Sequence, residues 1–177
     1  SYAKLKVTNC FPMLKALKTP ILNHLSEFRE QHVANIMWSL AKLVDEQVIS
    51  SEDGFIDNLI YHFYPLIQKQ SNNFNPQEIS MCAWGIAILG TDCLESANTA
   101  SESQGKGMDA FLALGQSCIK NIQRFSAQPL SMVSWAFAKL GISDIPLFTA
   151  IAWSSVVIFF RYSILKCSET DERFQFS

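Results

Sequence analysis

The hydrophobic and polar positions of this chain follow one pattern that occurs three times. The two clearest copies run from Phe74 to Gly90 and from Phe125 to Gly141, and a fainter copy begins at Phe28. Counting each opening Phe as position 0, the copies share Gln at position 3, an aliphatic residue at position 5, Trp at position 10, Ala at position 13 and Leu at position 15. The chain is therefore predicted to be built from a repeated structural unit.

Each copy has the periodicity of an α-helix. The apolar positions 5, 9, 12, 13 and 16 fall on one side of a helix that advances by about 100° per residue. Pro76 suits a first helical turn, where no amide donor is needed, and Gly90 and Gly141 stand where a helix would end. The tryptophans at position 10 are predicted to pack in the core, with a ligand-stacking role as the alternative.

The spacing of the copies predicts the fold class. Trp84 follows Trp38 by 46 residues, and Trp135 follows Trp84 by 51 residues. Helical repeats of this length indicate stacked supersecondary units, each consisting of a helix A, a loop and a helix B. We therefore predict an all-α protein, an α-solenoid of stacked helical-hairpin repeats of the kind found in HEAT and armadillo proteins.

The predicted domain organisation is a single solenoid over residues 1–160. Its repeats lie near residues 28–69, 74–124 and 125–160, with a truncated unit before residue 28. Pro65 is expected to bend or end the helix B of the first repeat. The tail, residues 161–177, is predicted to be irregular.

The second repeat contains an unusual connection. Residues 91–107 are rich in Ser, Thr, Ala and Gly, and the stretch is too long for an ordinary helix–helix loop. We predict a mobile insertion there, followed by a helix B from about Met108 to Arg124. Gly105-Lys106-Gly107 lacks the spacing of a phosphate-binding loop.

Composition gives little support for catalysis. The formal net charge is −2, so no bulk basic field is present to attract nucleic acid. Five widely spaced cysteines without a C-x-x-C pair predict neither disulfides nor a zinc site. The only histidines, His24, His32 and His62, form no recognisable metal or catalytic motif. The chain is predicted not to be an enzyme and to use no cofactor or metal.

One apolar stretch raises the question of a membrane. No charged residue occurs between Asp144 and Arg161, but these sixteen residues are fewer than the roughly 20 that a span usually needs. A buried helix B without a membrane span is the prediction, and its surplus of apolar residues implies a neighbour that covers it. The chain begins with Ser1 and shows no targeting pattern, so we expect an excerpt of a longer protein.

The repeat residues resemble those of a known family. Phe74-x-Pro-Gln-x-Ile79 followed by Trp84, and Phe125-x-x-Gln-x-Leu130 followed by Trp135-Ala-Phe-Ala-Lys-Leu-Gly141, look like octotricopeptide-type repeats. Similar helical-pair repeats of algae and protists occur in proteins with a RAP domain and are grouped with a subunit of the RNA-editing substrate-binding complex. The resemblance covers about residues 28–153.

The resemblance implies an RNA-binding protein of the mitochondrion or chloroplast. Such proteins act in the processing, stability, editing or translation of organellar RNA, so the implied partner is single-stranded RNA. The alternative is a protein-binding scaffold without direct RNA contact, because a helical repeat fold does not fix its ligand. The oligomeric state is left open.

A ligand face is predicted on the A helices at positions 4, 7, 11 and 14, which project within roughly 80° of one another. The residues of this predicted face are His32, Asn35, Ser39 and Lys42 in the first copy, Glu78, Met81, Gly85 and Ile88 in the second, and Pro129, Met132, Ala136 and Lys139 in the third. Packing between neighbouring A helices is the alternative role of these positions.

Overall fold

The computed structural model of the chain describes residues 10–49, 54–89 and 102–174, with side chains in the last range described from 105 to 163. These residues form helices and no strands, which confirms the all-α prediction for the described part of the chain. In chain order the helices are α1 (Phe11–Asn23), α2 (Glu30–Asp45), α3 (Phe55–Tyr61), α4 (Tyr64–Gln70), α5 (Pro76–Leu89), α6 (Glu102–Lys120), α7 (Ala127–Lys139) and α8 (Ile145–Phe174). Short 3-10 turns at Leu25–Glu27 and Ile122–Arg124 precede α2 and α7.

The helices pack in two layers. The A layer consists of α2, α5 and α7, which carry the three sequence copies and contact one another in chain order. The B layer consists of α3, α4, α6 and α8, in which α4 contacts α6 and α6 contacts α8. Contacts of α5 with α6 and of α7 with α8 join the layers. The helices that carry the sequence repeat are therefore neighbours in the structure.

The core lies between the two layers. Val33, Ile79 and Leu130, the aliphatic residues at position 5, are all buried, and the opening Phe74 and Phe125 are buried as well. Tyr64 and Phe111 are among the largest fully buried side chains of the B layer. Burial of such side chains stabilises each by about 1.5–3 kcal/mol relative to an exposed position.

The ends of the A helices follow from local chemistry. Asn75 caps α5 because its side-chain Oδ1 accepts a 3.0 Å hydrogen bond from the Glu78 amide, and Glu78 Oε2 accepts a 2.8 Å bond from the Asn75 amide. At the end of α7, Gly141 has a φ of 66°, a left-handed conformation that glycine adopts without strain. The Ile142 amide then donates to the Phe137 carbonyl at 3.0 Å, which satisfies a terminal helix acceptor.

The bend predicted at Pro65 is present as a helix boundary. Helix α3 ends at Tyr61, and α4 begins at Tyr64 with Pro65 in its first turn. Proline is tolerated there because the first amides of a helix have no intrahelical acceptor. Pro20, in contrast, lies inside α1 without dividing it.

Two predicted boundaries were wrong. Helix α6 begins at Glu102, so residues 102–107 of the predicted insertion are helical, and residues 90–101 lie outside the described residues. Gly107 is buried and accommodates the Tyr64 ring, since an added Cβ would lie 3.2 Å from that ring. The tail predicted to be irregular is also helical, because α8 continues through Arg161 to Phe174.

The cysteines behave as small hydrophobic residues where the structure describes them. Cys10, Cys82 and Cys118 are buried and unpaired. Burial raises the pKa of the Cys118 thiol to about 12 and raises the pKa of Cys82 further, with a smaller contribution from the Glu78 carboxylate. Both thiols therefore stay protonated at neutral pH and are poor nucleophiles.

Candidate ligand surface of the A layer

The three tryptophans of the repeat form one continuous row on the outer surface of the A layer. The ring centroids of Trp38 and Trp84 are 4.5 Å apart, and those of Trp84 and Trp135 are 6.5 Å apart. Trp135 is 43% exposed, whereas Trp38 and Trp84 are half-buried. The prediction that these residues pack in the core was therefore wrong for Trp135, whereas Trp84 is half-buried and packs against the core. We call Trp38, Trp84 and Trp135 the tryptophan row.

The row is at the surface because position 10 lies outside the buried stripe of each A helix. In α2 the buried residues are Val33, Ala34, Met37, Leu40 and Ala41, which are positions 5, 6, 9, 12 and 13. Positions 3, 7, 10 and 14 are spaced by three or four residues, so they share one face that flanks this stripe. Position 11 is exposed in α2 but buried in α5 and α7, so the exposed face that all three helices share follows positions 3, 7, 10 and 14.

Two lysines cover the tryptophan row. The Lys42 ammonium lies 5.8 Å from the Trp38 ring centroid and 5.3 Å from that of Trp84, and the Lys139 ammonium lies 5.8 Å from that of Trp135. These distances are within the roughly 6 Å range of cation–π attraction. Lys42 also lies 3.6 Å from an Asp45 oxygen and 3.8 Å from a Glu46 oxygen. The Lys139 end of the row is thus the more positive end.

Polar residues extend this face along the helices. Gln31, Gln77 and Gln128, at position 3, are all exposed, and so is Asn35 at position 7. In the other two copies position 7 is occupied by half-buried Met81 and Met132. The outward face thus presents amide donors and acceptors beside the indole rings and the two ammonium groups.

Part of the predicted face was misplaced. Gly85, Pro129 and Ala136 are buried rather than exposed. Position 11 is a contact between A helices, as shown by Gly85, where an added Cβ would lie 3.1 Å from both Cβ and the carbonyl oxygen of Met37. All three residues are buried and therefore offer no surface to a ligand.

The remaining residues of the predicted face have mixed environments. His32 and Ser39 are exposed on α2, and His32 Nδ1 accepts a 3.3 Å hydrogen bond from the Arg29 amide. Glu78 is half-buried, and its carboxylate is used in the cap of α5. Ile88 is half-buried at position 14, which is occupied by lysine in the other two copies. The structure therefore brings Lys42, Lys139 and the tryptophans together, but not the whole predicted set.

A polar cleft of about 420 Å³ opens at the beginning of α2 and α5. It is lined by Arg29, Glu30, Gln31, His32, Asn73, Asn75 and Glu78. Glu30 accepts a 3.2 Å hydrogen bond from Asn73, so part of this lining is already engaged. The cleft combines one arginine with two carboxylates, and Gln31 of position 3 is part of its lining. Across the described residues, no cluster of His, Cys, Asp or Glu has the arrangement of a metal site.

Helix α8 is exposed where the sequence predicted a buried helix. Leu147 and Ile151 are buried against the body, but Trp153, Val157 and Phe160 are 70%, 48% and 58% exposed. The segment Ile145–Ser163 is long and apolar enough to cross a membrane, and 6% of it is buried. Length and composition alone do not distinguish a span from an interface. The predicted covering neighbour is therefore not one of the described helices.

Comparison of the chain with protein-family models, with curated proteins and with solved structures finds no match. The octotricopeptide resemblance consequently depends on the repeat residues themselves.

Proposed function

We propose that this protein is an α-solenoid that binds single-stranded RNA along the tryptophan row. The observation that carries the proposal is the row of adjacent indoles covered by Lys42 and Lys139. Aromatic side chains beside basic groups are the usual means by which proteins hold unpaired bases. The octotricopeptide resemblance supports the same ligand and extends the proposal to organellar RNA metabolism in a mitochondrion or chloroplast.

Stacking of a base is most favourable at the Trp135 end. Trp135 is the most exposed indole of the row, and Trp38 and Trp84 are closer to each other than Trp84 is to Trp135. A base can therefore stack on Trp135 without separating the Trp38–Trp84 pair. Stacking of this kind contributes about 1–3 kcal/mol per base.

The polar groups of the same face complement the stacking. Gln128 lies at position 3 of the helix that carries Trp135, and Lys139 lies four residues after that tryptophan. An exposed amide can donate to and accept from the edge of an unstacked base, and an ammonium group neutralises a phosphate. These contacts are local, so the chain needs no strongly basic overall charge to bind RNA.

Affinity measurements with a matched tryptophan control test the proposal. Replacing Trp135 with Ala is expected to weaken binding of mixed-sequence single-stranded RNA about tenfold, because the stacking platform for one base is removed. Trp153→Ala is the control, since Trp153 is 70% exposed on α8 and lies outside the row. Filter binding and fluorescence anisotropy provide the measurement. Equal affinities of the two variants would contradict the proposed surface.

The lysines are tested by the salt dependence of binding. Replacing both Lys42 and Lys139 with Glu is expected to weaken RNA binding and to reduce the slope of log K against log salt by about 1.4, or about 0.7 for each phosphate that is no longer neutralised. Circular dichroism should show unchanged helicity, because both side chains lie on the outer surface. An unchanged salt slope would show that these lysines do not touch the RNA.

Binding of a protein partner is the second candidate function. The observation that favours it is the half-buried apolar centre of the face, formed by Met81 and Ile88. Apolar residues and methionines are common at protein interfaces. Retention of a protein ligand by wild type and its loss in Trp135→Ala, with no RNA binding in either, would favour the scaffold function.

A further inference from the structure

The two lysines of the tryptophan row differ in their partners. The Lys42 ammonium lies 3.6 Å from Asp45 Oδ2 and 3.8 Å from Glu46 Oε1, in addition to its contacts with two indole rings. Lys139 contacts the Trp135 ring, and within the described residues it forms no ion pair. One cation of the row is thus already paired with two carboxylates, whereas the other is not.

The two carboxylates stand where the electrostatics of a helix disfavours them. Asp45 is the last residue of α2, and Glu46 is its C-cap. The carbonyl groups at this end of a helix carry partial negative charge, so cations are stabilising there and anions are not. The same positions, 17 and 18, are the uncharged Ile142 and Ser143 in the third copy, while in the second copy they lie outside the described residues. Local helix stability therefore does not account for the carboxylates, and departures from local rules are typical of functional sites.

The ion pairs of Lys42 can be exchanged for a phosphate. The side chains of Lys42, Asp45 and Glu46 are 40%, 43% and 36% exposed, so solvent and ligand reach all three. Exposed ion pairs are weak, because water and salt screen the charges and the long side chains lose freedom. A phosphate that binds the ammonium beside Trp84 must replace these two weak pairs and approach two negative charges.

From these contacts we infer that Asp45 and Glu46 compete with RNA phosphate for Lys42 and thereby limit the affinity of the tryptophan row at its Trp38 end. The inference rests on the proposed binding of RNA to the row, and it names the groups that regulate this binding. A single strand binds first at the Trp135 end, where the cation has no carboxylate partner among the described residues. The two carboxylates then decide how far the strand extends along the row.

Neutralising both carboxylates tests the inference. Asp45→Asn/Glu46→Gln preserves the size of both side chains. We expect this variant to bind fluorescein-labelled, mixed-sequence single-stranded RNA about three- to fivefold more tightly than wild type, which is the combined effect of two exposed ion pairs. Fluorescence anisotropy at one fixed salt concentration provides the measurement. The unfolding temperature should stay the same or rise, because two anions leave the end of α2.

A matched control separates competition at Lys42 from a general change in charge. Glu27→Gln/Asp109→Asn also raises the net charge by two, but both residues are exposed and neither forms an ion pair with Lys42 or Lys139. We expect the control to bind RNA as wild type does, since salt screens exposed charges that lie away from the ligand. An equal gain in affinity for the two variants would overturn the inference.

A double-mutant cycle identifies Lys42 as the group for which the carboxylates compete. Lys42→Gln is expected to weaken RNA binding more in the Asp45→Asn/Glu46→Gln background than in wild type, because the lysine of that background has lost its two partners. Equal losses in the two backgrounds would contradict the competition.

Failure of the inference is distinguishable from failure of the proposed function. Wild-type affinity in Asp45→Asn/Glu46→Gln, together with weaker binding in Trp135→Ala, would refute the competition and leave RNA binding at the row intact. Absence of RNA binding in wild type and in every variant would overturn both.

Discussion

Replacing Phe137 with Ala is expected to lower the free energy of unfolding by about 3–5 kcal/mol, the range for large truncations in a core. Phe137 is fully buried on α7, and its ring centroid lies 4.3 Å from that of Phe111 on α6 and 6.5 Å from that of Phe148 on α8. One side chain therefore connects the last A helix to two helices of the B layer. Removing the ring leaves a cavity where three helices meet.

Urea unfolding monitored by circular dichroism measures this effect. Trp153→Ala serves as the control, because it removes an aromatic ring of larger size from a position that is 70% exposed. A change within about 0.5 kcal/mol is expected for the control. A decrease below about 1 kcal/mol in Phe137→Ala would show that the two layers are not joined through this residue.

Replacing Gly85 with Leu is expected to destabilise the protein by about 1–3 kcal/mol through overpacking. An added Cβ would lie 3.1 Å from the Met37 carbonyl oxygen, and this oxygen belongs to the backbone of the neighbouring A helix and cannot rotate away. Helices α2 and α5 must separate to accept the larger side chain. The same movement should alter the 4.5 Å contact of Trp38 with Trp84 and therefore the tryptophan fluorescence.

Gly105→Leu provides a matched control for this substitution. Gly105 lies in α6, and an added Cβ meets nothing within 4 Å. Leucine is favoured over glycine in a helix by up to about 1 kcal/mol, so this variant is expected to be neutral or more stable than wild type. Equal stability of the Gly85 and Gly105 variants would contradict the close packing of α2 on α5.

The sequence was sufficient to predict the helices because they follow from local chemistry and periodicity. The apolar stripe at positions 5, 9, 12 and 13 predicted the A helices, Pro76 and Gly141 marked a beginning and an end, and Pro65 marked the division of the first B helix. These features depend on residues close in sequence.

The tryptophans could not be placed from their chemistry alone. A large aromatic residue within an apolar helix is usually buried, and position 10 lies only one residue from the buried position 9. Its exposure depends on how neighbouring A helices approach each other, as at position 11, where Gly85 packs against Met37. One local signal was present, because Trp38 and Trp135 are each followed four residues later by a lysine, a spacing that places the ammonium beside the ring.

The exposure of α8 could likewise not be predicted from the hydrophobic pattern of the sequence. Its apolar residues occur all around the helix, which is typical of a helix that is fully covered. The described part of the chain covers only the side that carries Leu147 and Ile151. Whether an apolar helix is buried depends on every neighbour in the assembly, and the pattern of one helix does not contain that information.

The most direct test of the tryptophan row as an RNA surface is an NMR spectrum of the protein labelled with ¹⁵N at its tryptophans. The chain has four tryptophans, three in the row and Trp153 outside it, so each indole N–H signal can be assigned with one substitution. On titration with single-stranded RNA, we expect the Trp135 signal to shift most, those of Trp38 and Trp84 to shift less, and that of Trp153 to stay unchanged. Absence of shifts in all four signals at saturating RNA, or a shift confined to Trp153, would contradict RNA binding at this row.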